Sequence, residues 1–353
     1  MRILYIARNF APAPAGSHIS AFHLVRSLAE RGNEVHVLAS ETRRAGIETG
    51  LPQVPRLQYS YTGAKSIDLS AEEAGQLDQS VSARIATFRP DVVLIGISVW
   101  IERLKPLLTQ AGIPSVWLAR TMDQPDLGVT HDFPTSVVAN SDACARYLET
   151  TYGRNDGVLY PLIDAKDFVG AVSDHTASPY ITMVNPVPIK GGALFRSIAE
   201  SMPQLKFRAI RGWRPDAPDG NRAPYSDLTG LENVTVDGPF EDMRSVYDST
   251  RLLLVPSVWL EAFGRVALEA MMNGIPVVAS NSGGLADLVD GAGTVVSGGL
   301  REWLEAIEEI LEPAAYRKAV LAGLGRAREF DAEALVDRFE TRILNPLIVS
   351  HSK

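Results

Sequence analysis

Leu252–Gly284 reads LLLVPSVWLEAFGRVALEAMMNGIPVVASNSGG, and its punctuation decides the fold class. The run Leu252 to Val255 is short, wholly apolar and stopped by Pro256-Ser257, which is how a parallel strand buried on both faces reads. A loop follows its carboxyl end. Val266 to Met272 are mostly good helix formers, and Asn273-Gly274 ahead of Pro276 supplies the stop. The helix therefore begins near Phe263-Gly264-Arg265, and Pro276 to Ala279 makes the next strand. Strand, helix and strand running one way form the unit of a parallel α/β sheet.

The same stretch carries candidate chemistry. The first turn of a helix has N–H groups without intrahelical partners and a positive dipole end, and Gly264 brings no side chain to hold a phosphate away. A diphosphate suits the backbone of Phe263, Gly264, Arg265 and Val266. Glu261 in the loop and Glu269 in the helix, with seven residues between them, flank that anion site. Their carboxylates accept hydrogen bonds from sugar and ribose hydroxyls. A single Glu is usually a solvated surface charge. Glu269 differs, because its neighbours Ala267, Leu268, Ala270, Met271 and Met272 are apolar, and a carboxylate among them requires a ligand or a salt bridge.

The 353 residues suit two domains. With 46% hydrophobic and 22% charged residues, the balance is that of a globular protein. The formal net charge of −8, with Lys and Arg scattered, argues against nucleic acid as a partner. No segment supplies the run of about 18 apolar residues of a spanning helix, which leaves room only for peripheral membrane contact. Cys144 is the one cysteine, in the helical pattern SDACARYLE, where it reads as a small core residue. MRILYIA opens directly on a strand with no targeting peptide ahead of it, so the expectation is a cytoplasmic protein, with the inner membrane face as its one further station. No His-x3-His spacing occurs among the six histidines, and neither a metal nor a cofactor is expected.

Outward from the opening stretch, strands and helices alternate along the whole chain. The first half offers strands at residues 2–7, 34–39, 91–95, 115–118 and 137–140, a strand candidate in LQYSY, and helices at 18–31, 71–88, 102–110 and 142–152. VLYPLIDAKDF then changes character, and Asp174 to Pro179 is polar and turn-rich. A second series follows, with strands at 180–184, 206–211, 234–236, 252–255 and 276–279 and helices at 192–200, 241–248, after Gly264, and at 300–311. We expect a Rossmann-like acceptor-side domain over residues 1–162 and a Rossmann-like nucleotide-sugar domain over 175–328. Residues 329–353 carry a helix, 332–344, whose stripe Leu335, Phe339 and Ile343 points to packing back on the first domain. Two facing domains of this kind would enclose a deep interdomain cleft at the carboxyl ends of their strands.

These motifs carry a family resemblance. PS-W-EAFG-V-LEA-GIPVVAS-GG with its Glu-x7-Glu pair, and VNPVPIKGG at Val184 to Gly192, resemble the retaining glycosyltransferases of family 4, with the GT-B fold. The motif match spans residues 184–287; the N-terminal half matches in layout only. The resemblance implies that Glu261 binds donor-sugar hydroxyls, Glu269 the ribose, and Lys190, in the turn before Gly191, the diphosphate. It implies metal-independent transfer from a nucleotide-diphosphate sugar with retention, the leaving phosphate itself taking the acceptor's proton. Gly16, opening the first long helix, stands where the family's glycine-rich loop approaches phosphate and acceptor, with His18 beside it. Gly238-Pro239-Phe240 stands where the family holds the base, largely through backbone.

Physics supports Lys190 independently: a strand, a turn and Lys190-Gly191-Gly192 place an ammonium at a strand's carboxyl end, across from the anion site at Gly264. Two positions depart from the family. Asn185 replaces an Arg ahead of the Lys and cannot supply its charge, leaving Arg265 or Arg211 as substitutes. Arg120, in WLARTMD, stands in place of a histidine that contacts the donor sugar. Both departures keep a second function open, a nucleotide-sugar-binding protein impaired in transfer; a GT-B epimerase or phosphorylase is the enzymatic alternative. The acceptor is unidentified: a saccharide, a lipid-linked compound or another small molecule bound by residues 10–18, 41–66 and 120–134.

Overall fold

A computed structural model describes residues 1–8, 10, 16–40, 53–62, 64, 68–122, 129–212, 225–240 and 242–351. Much of the three candidate acceptor loops, and the start of the helix expected at Glu241, lie outside the described residues. The chain divides into two compact units, Met1–Leu162 with Ala332–Lys353, and Ile163–Asp331.

Unit 1 is built on β1 (Arg2–Ala7), α1 (Gly16–Glu30), β2 (Glu34–Ser40), β3 (Leu57–Thr62), α2 (Ala71–Phe88), β4 (Val92–Ile95), α3 (Ile101–Ala111), β5 (Ser115–Ala119), β6 (Ser136–Ala139), α4 (Asp142–Tyr152) and β7 (Gly157–Val158). Its seven-stranded sheet has the order β3-β2-β1-β4-β5-β6-β7, every pair parallel. Local signals end its helices where the sequence says they should. Ser70 and Glu73 close a capping box ahead of α2, the Ser141 hydroxyl accepts the Cys144 N–H at the head of α4, and left-handed Gly112 and Gly153 terminate α3 and α4.

Unit 2 comprises α5 (Ala165–Phe168), β8 (Tyr180–Val184), α6 (Gly192–Ser201), β9 (Lys206–Ile210), β10 (Val234–Asp237), α7 (Arg244–Asp248), β11 (Thr250–Val255), α8 (Arg265–Met272), β12 (Val277–Ser280), α9 (Gly283–Val289), β13 (Thr294–Val296), α10 (Leu300–Leu311) and α11 (Pro313–Ala327). Its parallel six-stranded sheet runs β10-β9-β8-β11-β12-β13. One side of it buries Phe195 against Phe207, edge-on at 5.7 Å, together with Leu252, Leu254, Trp303 and Ile307. Residues 163–174, outside both domains in the sequence reading, lie in this unit, where the Gly170 and Val172 N–H groups bond to Asn273 and Asp248.

The strand order locates the place where a ligand can bind. From β8 the chain winds outward through β9 and β10, then crosses back to β11 on β8's other side and winds outward again through β12 and β13. The connections leaving β8 and β11 therefore depart in opposite directions, opening a crevice at the carboxyl ends of these two neighbours. Unit 1 has the same switch between β1 and β4.

The chain returns to unit 1 as α12 (Ala332–Phe339) and α13 (Asn345–His351). A π-turn at Glu340–Leu344 interrupts what the sequence presents as one helix, and Glu340 within it meets Arg31 and Asn33.

Candidate active site

The residues Val184 to Gly192 and Pro256 to Arg265 leave β8 and β11 at the switch point of unit 2. Asn185 turns the chain with φ of 61°, its N–H bonded to the Ile210 carbonyl at 2.7 Å. A 3-10 turn, Pro188–Lys190, follows and ends at Gly191 with φ of 86°. A Cβ on Gly191 would fall 1.8 Å from the Pro256 carbonyl oxygen, so only glycine lets these two connections touch. That close approach sets Lys190 beside Glu261, with Nζ and Oε1 2.5 Å apart. The Ser257 hydroxyl donates to the same carboxylate oxygen at 2.8 Å. Backbone holds Glu261 too: its N–H bonds to the Ser282 hydroxyl at 3.3 Å, and its carbonyl accepts the Gly284 N–H at 2.8 Å. With 30% of the Lys190 side chain and 15% of the Glu261 side chain exposed, the pair is sheltered and still reachable.

Gly264 caps α8 with φ of 103°, and its bareness has a second cause that the sequence does not show. A Cβ there would lie 2.6 Å from Cδ1 of Leu285, so α9 occupies the space beside it. The Ala267 and Leu268 N–H groups both reach the Gly264 carbonyl, which confines any anion cradle to the amides before Ala267. Val266, in the first turn of α8, and Phe263, buried edge-on against Phe330, fix the entry of the helix.

Glu269 is 4% exposed, and unit 2 itself supplies the salt bridge that its apolar surroundings require. Arg265 Nε donates to Oε1 at 2.8 Å and the Tyr247 hydroxyl to Oε2 at 2.5 Å. Arg265 in turn stacks over the Phe168 ring at 5.0 Å. Burial, and then the Glu269 charge, push the Tyr247 phenol well above its ordinary range, so it remains a donor. A ribose hydroxyl would have to share an oxygen that Arg265 or Tyr247 already holds. Arg265, offered from sequence as a substitute cation for the phosphate, is committed to this pair.

Lys190, Gly191, Asn185, Glu261, Phe263, Gly264, Arg265, Val266 and Glu269 thus all belong to unit 2. In unit 1, Arg120 follows β5, and its guanidinium donates to the Ser17 carbonyl at 2.6 Å, which brings it to the head of α1 beside Gly16 and His18. Cys144 is fully buried, and burial raises its thiol to about 11, in keeping with a core residue. Ser257, Tyr247 and Ser282 escape the sequence reading. Only the general rule that a buried phenol requires a partner marks Tyr247 in advance. Among the described residues no three of His, Cys, Asp or Glu are grouped to hold a metal ion, and no helix is long and apolar enough to cross a membrane.

Residues 195–313, inside unit 2, match the family model for glycosyl transferases group 1. Over that stretch, about a third of the chain, the sequence is similar to the group 1 glycosyl transferases. Among curated relatives, a D-inositol 3-phosphate glycosyltransferase of Corynebacterium diphtheriae is 32% identical over 161 residues, 42% of this chain and 38% of that protein. Another from Nocardioides is 29% identical over 234 residues, 56% of this chain and 50% of that protein. The matched stretch thus spans half or less of either relative's length. Solved structures extend the likeness over both units. Sucrose-phosphate synthase from Thermosynechococcus elongatus superposes with a TM-score of 0.82 at 19% identity, covering 99% of this chain and 100% of that one. Anabaena HepE in complex with UDP-glucose superposes with a TM-score of 0.75 at 18% identity, over 98% of this chain and 99% of that one. At such identities the likeness is one of fold, and the fold is GT-B, two Rossmann-like units.

Proposed function

We propose that this protein is a glycosyltransferase that moves a sugar from a nucleotide-diphosphate donor to a hydroxyl acceptor, with retention and without a metal. The observation that carries the reading is the Lys190–Glu261 contact at the switch point of unit 2, beside the head of α8. A solved structure of the same fold, at 18% identity, holds UDP-glucose, which supports a nucleotide sugar as donor.

In this reading the diphosphate rests between Lys190 and the first amides of α8. As the bond from the sugar's anomeric carbon to the phosphate oxygen breaks, charge grows on the leaving group, and the ammonium and amides stabilise it most in the transition state. The acceptor oxygen bonds to the same face of that carbon, and its proton passes to the departing phosphate. Glu261, oriented by Lys190 and Ser257, accepts hydrogen bonds from donor-sugar hydroxyls. Glu269 accepts a ribose hydroxyl while keeping Arg265.

Thermal-shift measurement against UDP, GDP, ADP and dTDP tests the donor site. A ligand bound only by the folded state at 100 times its Kd adds about 2.7 kcal/mol and raises Tm. Lys190→Ala should abolish that shift and lower turnover at least about 100-fold while leaving the unliganded Tm nearly unchanged. No shift with any of the four nucleotides would overturn the reading. A shift without transfer or donor hydrolysis would leave a binding protein.

A further inference from the structure

The two connections that meet at Lys190 and Glu261 also expose four large apolar side chains. Ile189 is 44% exposed, Val258 74%, Trp259 37% and Leu260 48%. They form one patch, because the Val258 and Trp259 N–H groups both bond to the Ile189 carbonyl, at 3.1 and 3.0 Å. The patch adjoins the candidate site through the chain itself: Ile189 immediately precedes Lys190, and Leu260 immediately precedes Glu261. It is also held firmly, since the Ser282 hydroxyl donates to the Trp259 carbonyl at 2.5 Å and receives the Glu261 N–H.

Scattered exposed apolar residues are ordinary; four on two segments joined backbone to backbone at the edge of a polar site mark a surface that something covers. A nucleoside diphosphate does not suit it, being charged where these side chains are not. A protein partner would close off the very pair that a donor and an acceptor must reach. What fits is the remaining substrate. We infer that the acceptor is amphipathic, with an alkyl or aryl group next to its reacting hydroxyl, and that Ile189, Val258, Trp259 and Leu260 hold that group. The inference rests on the transferase reading above and narrows its substrate class. The indole of Trp259 supplies the largest apolar face of the four and the side chains of Val258 and Leu260 the flanks, so binding draws on area removed from water.

The test uses the full chain with UDP present, titrated with n-octyl β-D-glucoside below its micelle concentration and with methyl β-D-glucoside, binding being read by saturation-transfer NMR. The octyl compound should bind at least about tenfold more tightly, as expected for burying part of an eight-carbon chain. Val258→Ser with Leu260→Ser, both well exposed and therefore harmless to folding, and separately Trp259→Ser, should erase that preference and leave the UDP affinity within about twofold. Equal affinity for the two glycosides, or a preference unchanged in both variants, overturns the inference. So does binding to phosphatidylcholine vesicles, or self-association, that the variants abolish when no octyl preference exists; these outcomes assign the patch to a bilayer or to a second copy. The UDP titration in the same samples reports the donor site by itself, so failure there is distinguishable from failure here.

Discussion

At the scale of single residues, two Glu side chains eight positions apart lead different lives. Glu261 shares its carboxylate with a lysine and a serine at a reachable surface, whereas Glu269 is sealed between Arg265 and Tyr247. Exposed ion pairs are worth little and buried ones are expensive to break, so their variants should separate activity from stability. Glu261→Gln keeps the size and the Ser257 contact but loses the charge that orients Lys190. We expect kcat/KM to fall at least about 100-fold, with unfolding free energy changed by no more than about 1 kcal/mol, as read by transfer assays and urea titration. Glu269→Leu, which removes the proposed ribose acceptor, also breaks the buried pair with Arg265 and should in addition destabilise the protein by about 3–5 kcal/mol. Tyr247→Phe, which removes one bond to a buried carboxylate, should lower stability by about 1–3 kcal/mol. Equal stability losses for Glu261→Gln and Glu269→Leu would sink this division of labour.

At the scale of elements, the glycines at the site are there for contact between segments. Gly264 lies against Leu285 and Gly191 against the Pro256 carbonyl. Gly264→Ala adds a strained backbone to a clash with a movable side chain and should cost about 2–3 kcal/mol; Gly191→Ala, which meets backbone, should cost more, and urea titration of both variants checks the order. This also shows how far the sequence could be read. The strand, loop and helix of β11 and α8 were legible because apolar run, Pro, Gly264 and the Asn273-Gly274 stop all agree. α9 was not, because it opens on Gly283-Gly284 and its N-cap Ser282 makes no capping bond, its hydroxyl serving Trp259 instead. α11 was hidden by Gly323 and Gly325 in its interior. Gly323 faces Met271 of α8, where a Cβ would stand 3.3 Å from its Cγ, a tertiary demand that no local pattern expresses. The sequence reading set Lys190 and Glu261 on either side of one anion site without foreseeing their direct contact; of the two partners of Glu269, Arg265 stands one turn earlier in α8, whereas Tyr247 depended on packing between α7 and α8 across 22 residues of sequence.

At the scale of the whole molecule, pH acts through a buried imidazole. His36 on β2 bonds to Ser60 and Gln58 on the neighbouring β3, at 2.8 and 3.3 Å. Burial first, and then the Arg84 charge, depress it from 6.5 to about 4. The unfolded chain therefore binds the proton more tightly, so stability is complete above pH 6.5 and declines as the pH falls toward 4. By pH 5 the loss is about 2 kcal/mol, and His36→Gln should remove that part of the decline in urea titrations run at both pH values. A variant that declines as steeply as the native chain would refute the assignment. The stretch from Ala332 onward matters at this scale too. It buries Leu335, Val336, Phe339 and Leu344, and it sets Glu333, Asp337 and Glu340 around Arg31 of unit 1. Unit 1 is thus assembled from two pieces of chain with all of unit 2 threaded between them. On a ribosome, which releases the chain from its N-terminus, unit 2 is complete while unit 1 still lacks its closing helices. Birth order and folding order are therefore inverted: the module started first is the one that must wait.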